Sequence, residues 1–258
     1  MIKTTKLDFS LQGKVALVTG GSRGIGKATA LAFARAGADV VVASRKISDL
    51  ELVAGEISKL GRKSLAVPAH IGKLEEIDNL VNKVMEKFDR IDILVNNAGI
   101  SPALASTLNA EERLWDAIMN VNLKGLYFLT QAVARIMKDH GGGKIINVAS
   151  LDGFKPEVDM GLYCISKAGV VMATKVMALE FAQYNIRVNA IAPGLVHTRL
   201  GDAAFVIPGY EKAMVERTPL RYIADPDEIT GAMVYLASDA SSFHTGDTLK
   251  IDGGIMLT

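Results

Sequence analysis

With 258 residues, 49% of them hydrophobic, and 29 basic side chains against 28 acidic ones, the chain can build a sizeable core and carries almost no net charge. That balance excludes disorder and gives no electrostatic case for nucleic acid or an anionic membrane as partner. The single cysteine, Cys164, excludes an intrachain disulfide and fits a reducing compartment. The first residues (MIKTTKLDFSLQGK) hold no apolar signal-peptide core, and no run of about 18 apolar residues is present to span a membrane, so a cytoplasmic protein is expected.

In chain order, Lys14 to Thr19 is a β-branched run that reads as a strand. The turn Gly20-Gly21-Ser22-Arg23-Gly24-Ile25-Gly26 follows, then a helix from Ile25 to Ala36 ended by Gly37. Asp39 to Ala43 is a second strand, Asp49 to Leu60 a helix closed by Gly61, and Lys63 to Ala69 a third strand. Leu74 to Phe88 carries Ile77, Leu80, Val81 and Val84 at helical spacing. Ile91 to Val95 is strand four, Glu111 to Lys138 one long helix ending at Gly141-Gly142-Gly143, and Lys144 to Val148 strand five. A helix from Tyr163 to about Tyr184 precedes strand six, Ile186 to Ala192, which Pro193-Gly194 halts. After a polar, mixed segment from Arg199 to Arg221 come a helix, Pro226 to Ser238, and a last strand, Thr248 to Ile251.

Strands and helices alternate, and the strands are continuous apolar runs, as when both faces of a sheet are covered. The pattern predicts an α/β fold: a doubly wound parallel sheet of about seven strands, with ligands bound along the strand C-terminal ends. Thr19-Gly20, Ser44, Asn96, Ser150 and Pro193 all fall just past strands and converge on that rim. No linker or composition break divides residues 1–258, so a single domain is expected.

The Gly-rich turn suits a diphosphate: glycines let the backbone approach, and the helix start supplies free N–H groups. Its spacing, G-x-x-x-G-x-G, departs from the G-x-G-x-x-G dinucleotide fingerprint. The second strand ends in Ser44-Arg45-Lys46, where a site for NAD would offer a carboxylate to the ribose 2′-hydroxyl. A guanidinium at Arg45, with Arg23 in reach, suits a 2′-phosphate instead, which points to NADP(H). Further on, Tyr163 and Lys167 lie four residues apart on one helix face, with Ser150 at the end of the preceding strand. An ammonium beside a phenol favours the phenolate and would make Tyr163 a proton donor and acceptor near neutrality. Such pairs also arise routinely on helices, so this one gains meaning only from its setting.

From Lys14 to Gly254 the sequence resembles the short-chain dehydrogenase/reductase family. The carriers are TGGSRGIG (Thr19–Gly26), NNAG (Asn96–Gly99), Asn122, Ser150, the Tyr163-x-x-x-Lys167 pair and PGLVHT (Pro193–Thr198). The resemblance implies hydride transfer between a nicotinamide and a ketone or secondary alcohol. Tyr163 would be the general acid and Lys167 would lower its pKa and hold the nicotinamide ribose. Ser150 would polarise the carbonyl, and Asn122 would hold a water linking Lys167 to solvent. The cofactor contacts it implies are Gly20, Ser22, Arg23, Gly24, Ile25, Gly26, Ser44 and Arg45, then Asn97, Ala98 and Gly99 near the adenosine ribose, and Pro193, Gly194, Val196 and Thr198 at the nicotinamide.

Ala69-His70-Ile71 departs from the pattern, since many relatives carry an Asp here for the adenine amino group. A neutral His70 could accept that bond, or pack beside the ring. Cys164 reads as buried and inert, and His140, His197 and His244 form no metal-ligand cluster with it; no metal is expected. Asp152 could face the substrate or stand solvated in its loop. Residues 195–218 read as a substrate lid. The helices 111–138 and 161–184 are apolar over more than one face; in the family they pair between subunits, which implies a homotetramer. A 3-oxoacyl or similar ketone reductase is the leading reading, a sugar or secondary-alcohol dehydrogenase the alternative. A non-catalytic nucleotide-binding scaffold on the same fold would be expected to lack one of Asn122, Ser150, Tyr163 or Lys167.

Overall fold

The computed structural model describes residues 8–202 and 208–258, so positions 203–207 of the expected lid lie outside the described residues. Seven strands form one parallel sheet: β1 (Val15–Thr19), β2 (Asp39–Ser44), β3 (Ser64–Pro68), β4 (Ile93–Asn96), β5 (Gly143–Val148), β6 (Ile186–Pro193) and β7 (Thr248–Ile251). Their spatial order is β3-β2-β1-β4-β5-β6-β7. Every residue of β1 and β4 is buried, which is why these segments are apolar without alternation.

Helices α1 (Gly24–Arg35) and α2 (Ile47–Lys59) cover one face, with α9 (Pro226–Ala237) after them; there Phe33, Leu50, Ile57 and Met233 pack on Ala16 and Val18 of β1. The opposite face, under Val15 and Leu17, is covered by α3 (Leu74–Phe88), α5 (Leu126–Asp139) and α6 (Gly161–Phe181). The period-2 alternation along β1 thus feeds two separate cores. With its short extension to Tyr184, α6 has the length and mean hydropathy (1.4) of a membrane span, yet half of it is buried inside the protein, and Lys167 lies in its buried face. It is the core helix of a sheet layer.

The long helix expected from Glu111 to Lys138 is interrupted. It consists of α4 (Glu112–Met119), a π-helical turn (Asn120–Gly125) and α5. At the turn Gly125 lies against the loop after β3: a Cβ there would stand 2.1 Å from the Ile71 carbonyl oxygen. The polar, mixed segment from Arg199 to Arg221, which overlaps the expected lid, contains α7 (Arg199–Asp202) and α8 (Tyr210–Arg217) among its described residues.

A buried polar chain fixes the helices of one face to the sheet. Asn96, at the end of β4, donates from Nδ2 to Thr130 Oγ1 of α5 (2.8 Å) and to Asn147 Oδ1 of β5 (2.9 Å). Asn147 Nδ2 donates in turn to Thr174 Oγ1 of α6 (2.9 Å), whose hydroxyl donates to the Val170 carbonyl. The register of α6 against β5, and so of Tyr163 and Lys167 against Ser150, is set by this chain.

Two alanine substitutions should separate a required glycine from a dispensable one. Gly125→Ala should cost about 2–4 kcal/mol through overpacking against Ile71. Gly55→Ala, at an exposed α2 position with nothing within 4 Å, should gain about 0.5–1 kcal/mol. Urea unfolding of the two variants beside the parent protein checks both signs.

Candidate active site

The strand C-terminal ends open into a cleft of about 740 Å³ around the seam between β1 and β4, where the sheet order reverses. Gly20, Ser22, Arg23, Gly24, Ile25, Arg45, His70, Ile71, Asn97, Ala98, Gly99, Ser150, Tyr163, Lys167, Pro193, Gly194, Val196 and Thr198 all line it. Ser44 lines an adjoining recess instead. Gly26 and Asn122 line neither: Gly26 permits close approach, since a Cβ there would meet Gly20 O at 2.3 Å and Asn97 Nδ2 at 2.4 Å.

At one end the start of α1 faces the cleft. Its cap residue, Arg23, makes no side-chain capping bond and no acid occupies the first turn, so the leading N–H groups are left for an anion. Gly20 (φ +63°) and Gly24 (φ +52°) hold left-handed conformations that shape the turn. The recess beside it, about 640 Å³, is bounded by Ser22, Arg23, Ser44, Arg45, Lys46, Asp49 and Arg199. Lys46 is paired with Asp49 at 3.0 Å, while among the described residues Arg23, Arg45 and Arg199 form no ion pair. Uncapped amides beside unpaired guanidiniums fit the diphosphate and 2′-phosphate of a dinucleotide.

His70 corrects an expectation. Its Nδ1 accepts a hydrogen bond from Gly72 N–H at 3.1 Å, so the neutral ring carries its proton on Nε2. The free nitrogen is a donor and cannot accept from an adenine amino group. His197 is exposed and lines neither cavity; its backbone N–H donates to Ala224 O at 2.9 Å.

At the other end stand Ser150, Tyr163 and Lys167. Lys167 Nζ donates to Val148 O at 2.8 Å and lies 5.6 Å from the centre of the Tyr163 ring. Burial lowers the Lys167 pKa to about 8, with Asp152 opposing the shift. The expected depression of the Tyr163 pKa does not occur: burial raises it, the charge of Asp152 adds to the rise, and a hydrogen bond with Ser150 opposes it. Desolvation of the phenolate dominates, and the phenol stays protonated at neutral pH. Asp152 is itself held above the usual carboxylate range, first by burial, with the Ser150 hydrogen bond opposing. Cys164 is buried, and burial raises its thiol pKa.

Asn122 lies in the π-helical turn, buried beside the cleft. Its side-chain amide makes three hydrogen bonds within the protein: Oδ1 accepts from Ile100 N–H (2.8 Å), and Nδ2 donates to Ile100 O (2.9 Å) and Ser166 Oγ (3.1 Å), which leaves one lone pair of Oδ1. It fixes the loop after β4. Gly99 keeps the space open, for a Cβ there would lie 3.4 Å from Lys167 Nζ and 3.6 Å from Asn122 Oδ1.

Residues 20–256 match the family model described as enoyl-(acyl carrier protein) reductase. The chain is 40% identical over 250 residues to a 3-oxoacyl-(acyl-carrier-protein) reductase of Thermotoga maritima, covering 96% of this chain and 99% of that one. The chain belongs to the short-chain dehydrogenase/reductase family. Another member, a 2-dehydro-3-deoxy-D-gluconate 5-dehydrogenase of Escherichia coli, is 38% identical over 247 residues, 95% of this chain and 96% of that one. Among solved members, a gluconate 5-dehydrogenase of Burkholderia cenocepacia in complex with NADP and tartrate superposes with a TM-score of 0.93 at 36% identity, covering 98% of this chain and 99% of that one. As a member, the protein is an NAD(P)-dependent oxidoreductase acting on CH–OH groups.

Sequence reasoning did not find Arg199, nor the C-terminal Ile255 and Met256, which also line the cleft. No local motif marks them; only the path of the chain after β6 and β7 brings them to the rim.

The buried ammonium has a consequence for stability. With a folded pKa near 8 against 10.5 unfolded, Lys167 carries its full penalty below about pH 8, where both states are charged. Between about pH 8 and 10.5 the unfolded state binds more protons, and the penalty is relieved as pH rises. Lys167→Met should therefore stabilise the fold by about 2 kcal/mol at pH 7, after allowing for the lost bond to Val148, and by less at pH 10. Urea titrations at the two pH values check this.

Proposed function

We propose that the protein is an NADP(H)-dependent ketone reductase, with 3-oxoacyl and similar ketones as its substrate class. The observation that carries this reading is the convergence of Ser150, Tyr163 and Lys167 in one cleft with the phenol kept protonated. A protonated phenol is the form needed to give a proton to a carbonyl oxygen. Bound NADPH supplies the hydride. Ser150 holds the carbonyl, and Tyr163 delivers the proton from its hydroxyl. Lys167, anchored on Val148 O, faces the nicotinamide ribose and carries positive charge below about pH 8. The α1 N-terminus with Gly20, Ser22, Gly24 and Ile25 receives the diphosphate, and Arg23, Ser44 and Arg45 receive the 2′-phosphate. His70, Ile71, Asn97, Ala98 and Gly99 line the adenosine side; Pro193, Gly194, Val196 and Thr198 line the nicotinamide side.

Oxidation of a sugar or secondary alcohol uses the same groups in reverse and is the second reading, supported by the gluconate dehydrogenases among the relatives.

A cytoplasmic, single-domain enzyme with a substrate lid over 195–218 completes the reading, assembled as a homotetramer. Its oligomeric interface is a second copy of the face made by α4–α5 and α6. There Ile165, Met172, Val176 and Leu179 form an exposed apolar stripe on α6, beside Trp115, Tyr127 and Phe128. Leu179 is 82% exposed in the single chain. An exposed apolar stripe of this kind supports pairing of this face with a second copy.

Tyr163→Phe should cut NADPH-dependent ketone reduction by about 100-fold or more while leaving NADPH binding intact, read by absorbance and by fluorescence titration. Unchanged turnover would refute the assignment. Arg45→Asp should lower the NADPH over NADH preference in kcat/KM by roughly 10-fold or more, through loss of a charge-assisted contact and gain of repulsion. Light scattering at micromolar concentration should give a multimeric mass for the parent protein and a smaller one for Leu179→Glu; a monomeric parent would reject the interface.

A further inference from the structure

The hydroxyl of Ser150 is already engaged. Its Oγ donates to Asp152 Oδ2 at 3.1 Å and accepts from the Asp152 N–H at 3.1 Å. A hydroxyl has one proton, so while this bond stands Ser150 has none to offer a substrate carbonyl. Asp152 sits on a short 3₁₀ turn, Leu151–Gly153, pressed onto α6: a Cβ at Gly153 would lie 2.9 Å from the Lys167 backbone carbonyl. The carboxyl is therefore held rigidly in the cleft wall, close enough for its charge to act on both Tyr163 and Lys167. Among the described residues it forms no ion pair.

The spacing of the two hydrogen-bonding sites is informative. Ser150 Oγ and Asp152 Oδ2 stand 3.1 Å apart. The two oxygens of an α-hydroxyketone sit on adjacent carbons and, turned to the same side, are a comparable distance apart, so both can be met by parallel hydrogen bonds. We propose that Asp152 is a specificity-determining residue that accepts a hydrogen bond from a hydroxyl on the carbon next to the reacting carbonyl. The substrates it selects are α-hydroxyketones, and vicinal diols in the reverse direction. The inference rests on the ketone-reductase reading above and narrows its substrate class.

The hydrogen bonds balance. As the substrate hydroxyl donates to Asp152, the Ser150 proton turns to the carbonyl oxygen, and no polar group is stranded. A plain ketone obtains the Ser150 proton only by leaving the half-buried Asp152 carboxyl without its donor, a desolvated group left unpaired. A site built around such an acceptor rejects the analogue that lacks the donor. Lys155, Arg199 and Arg217 also line the cleft, which disfavours a cationic amine in place of the neutral hydroxyl.

The test is a matched pair, 2-butanone and 3-hydroxybutan-2-one, reduced with NADPH by the parent protein, Asp152→Ala and Asp152→Asn. The parent should prefer the hydroxyketone by roughly 30-fold in kcat/KM. Asp152→Ala should bring the ratio near one by losing on the hydroxyketone and gaining on the plain ketone. Asp152→Asn, which keeps an acceptor oxygen, should fall between. A parent ratio near one, or an Asp152→Ala variant that lowers both substrates by the same factor as a merely structural residue would, overturns the assignment and leaves the reductase reading standing. No turnover of either ketone by the parent, with NADPH shown to bind, overturns the reductase reading and this inference together.

Discussion

The buried chain of side-chain hydrogen bonds from Thr130 through Asn96 and Asn147 to Thr174 is the constraint on which the site depends. Parallel strands paired by backbone alone would leave α6 free to slide along the sheet, because apolar packing has little preference among similar registers. Asn96 and Asn147 pair directly across β4 and β5 and then reach in opposite directions, to α5 and to α6. A slip of one helical turn would strand several buried amides, each expensive to leave unpaired. That cost holds Tyr163 and Lys167 opposite the end of β5, where Ser150 emerges. At the other side of the seam Thr19 plays a smaller version of the role, donating to Val95 O and accepting from the N–H groups of Asn97 and Ala98.

Within that frame, burial decides the electrostatics. The same packing that fixes Lys167 removes water from it and from Tyr163, so the ammonium gives up its proton more readily and the phenol holds its own more tightly. Asp152 pulls the other way on Lys167 and the same way on Tyr163. The site is a balance of desolvation against three neighbouring polar groups, and it favours a protonated phenol.

The architecture was legible in the sequence because unbroken apolar strands and amphipathic helices leave few alternatives. The strand-end positions of Ser44, Ser150 and Pro193 followed from topology alone. What was not legible is instructive. The π-turn at Asn120–Gly125 arises from how closely Gly125 must pass the Ile71 carbonyl, a tertiary fact without a local signature. The sign of the Tyr163 shift could not be read from an i,i+4 spacing, since spacing reports the ion pair and says nothing of how completely water is excluded. His70 was placed correctly at the cleft, but the direction of its hydrogen bond depends on a backbone N–H two residues away. Arg199 acquires meaning only once the chain after β6 is seen to face the cleft, and for Asp152 the structure decides between the two readings the sequence left open.

One helix, α6, serves two unrelated neighbours. Its inner side presents Tyr163 and Lys167 to the cleft and Thr174 to the sheet, while its outer side displays Ile165, Met172, Val176 and Leu179. Hardly a position along it is idle, so drift in this segment meets resistance from either direction. The freedom to acquire new chemistry is displaced onto the segments that border the cleft, around 101–108, 154–160 and α8, which can change charge without moving the rod beneath them. A lineage built on this plan diversifies at its rim and stays conservative along a single axis, and an engineer seeking altered selectivity has the same map.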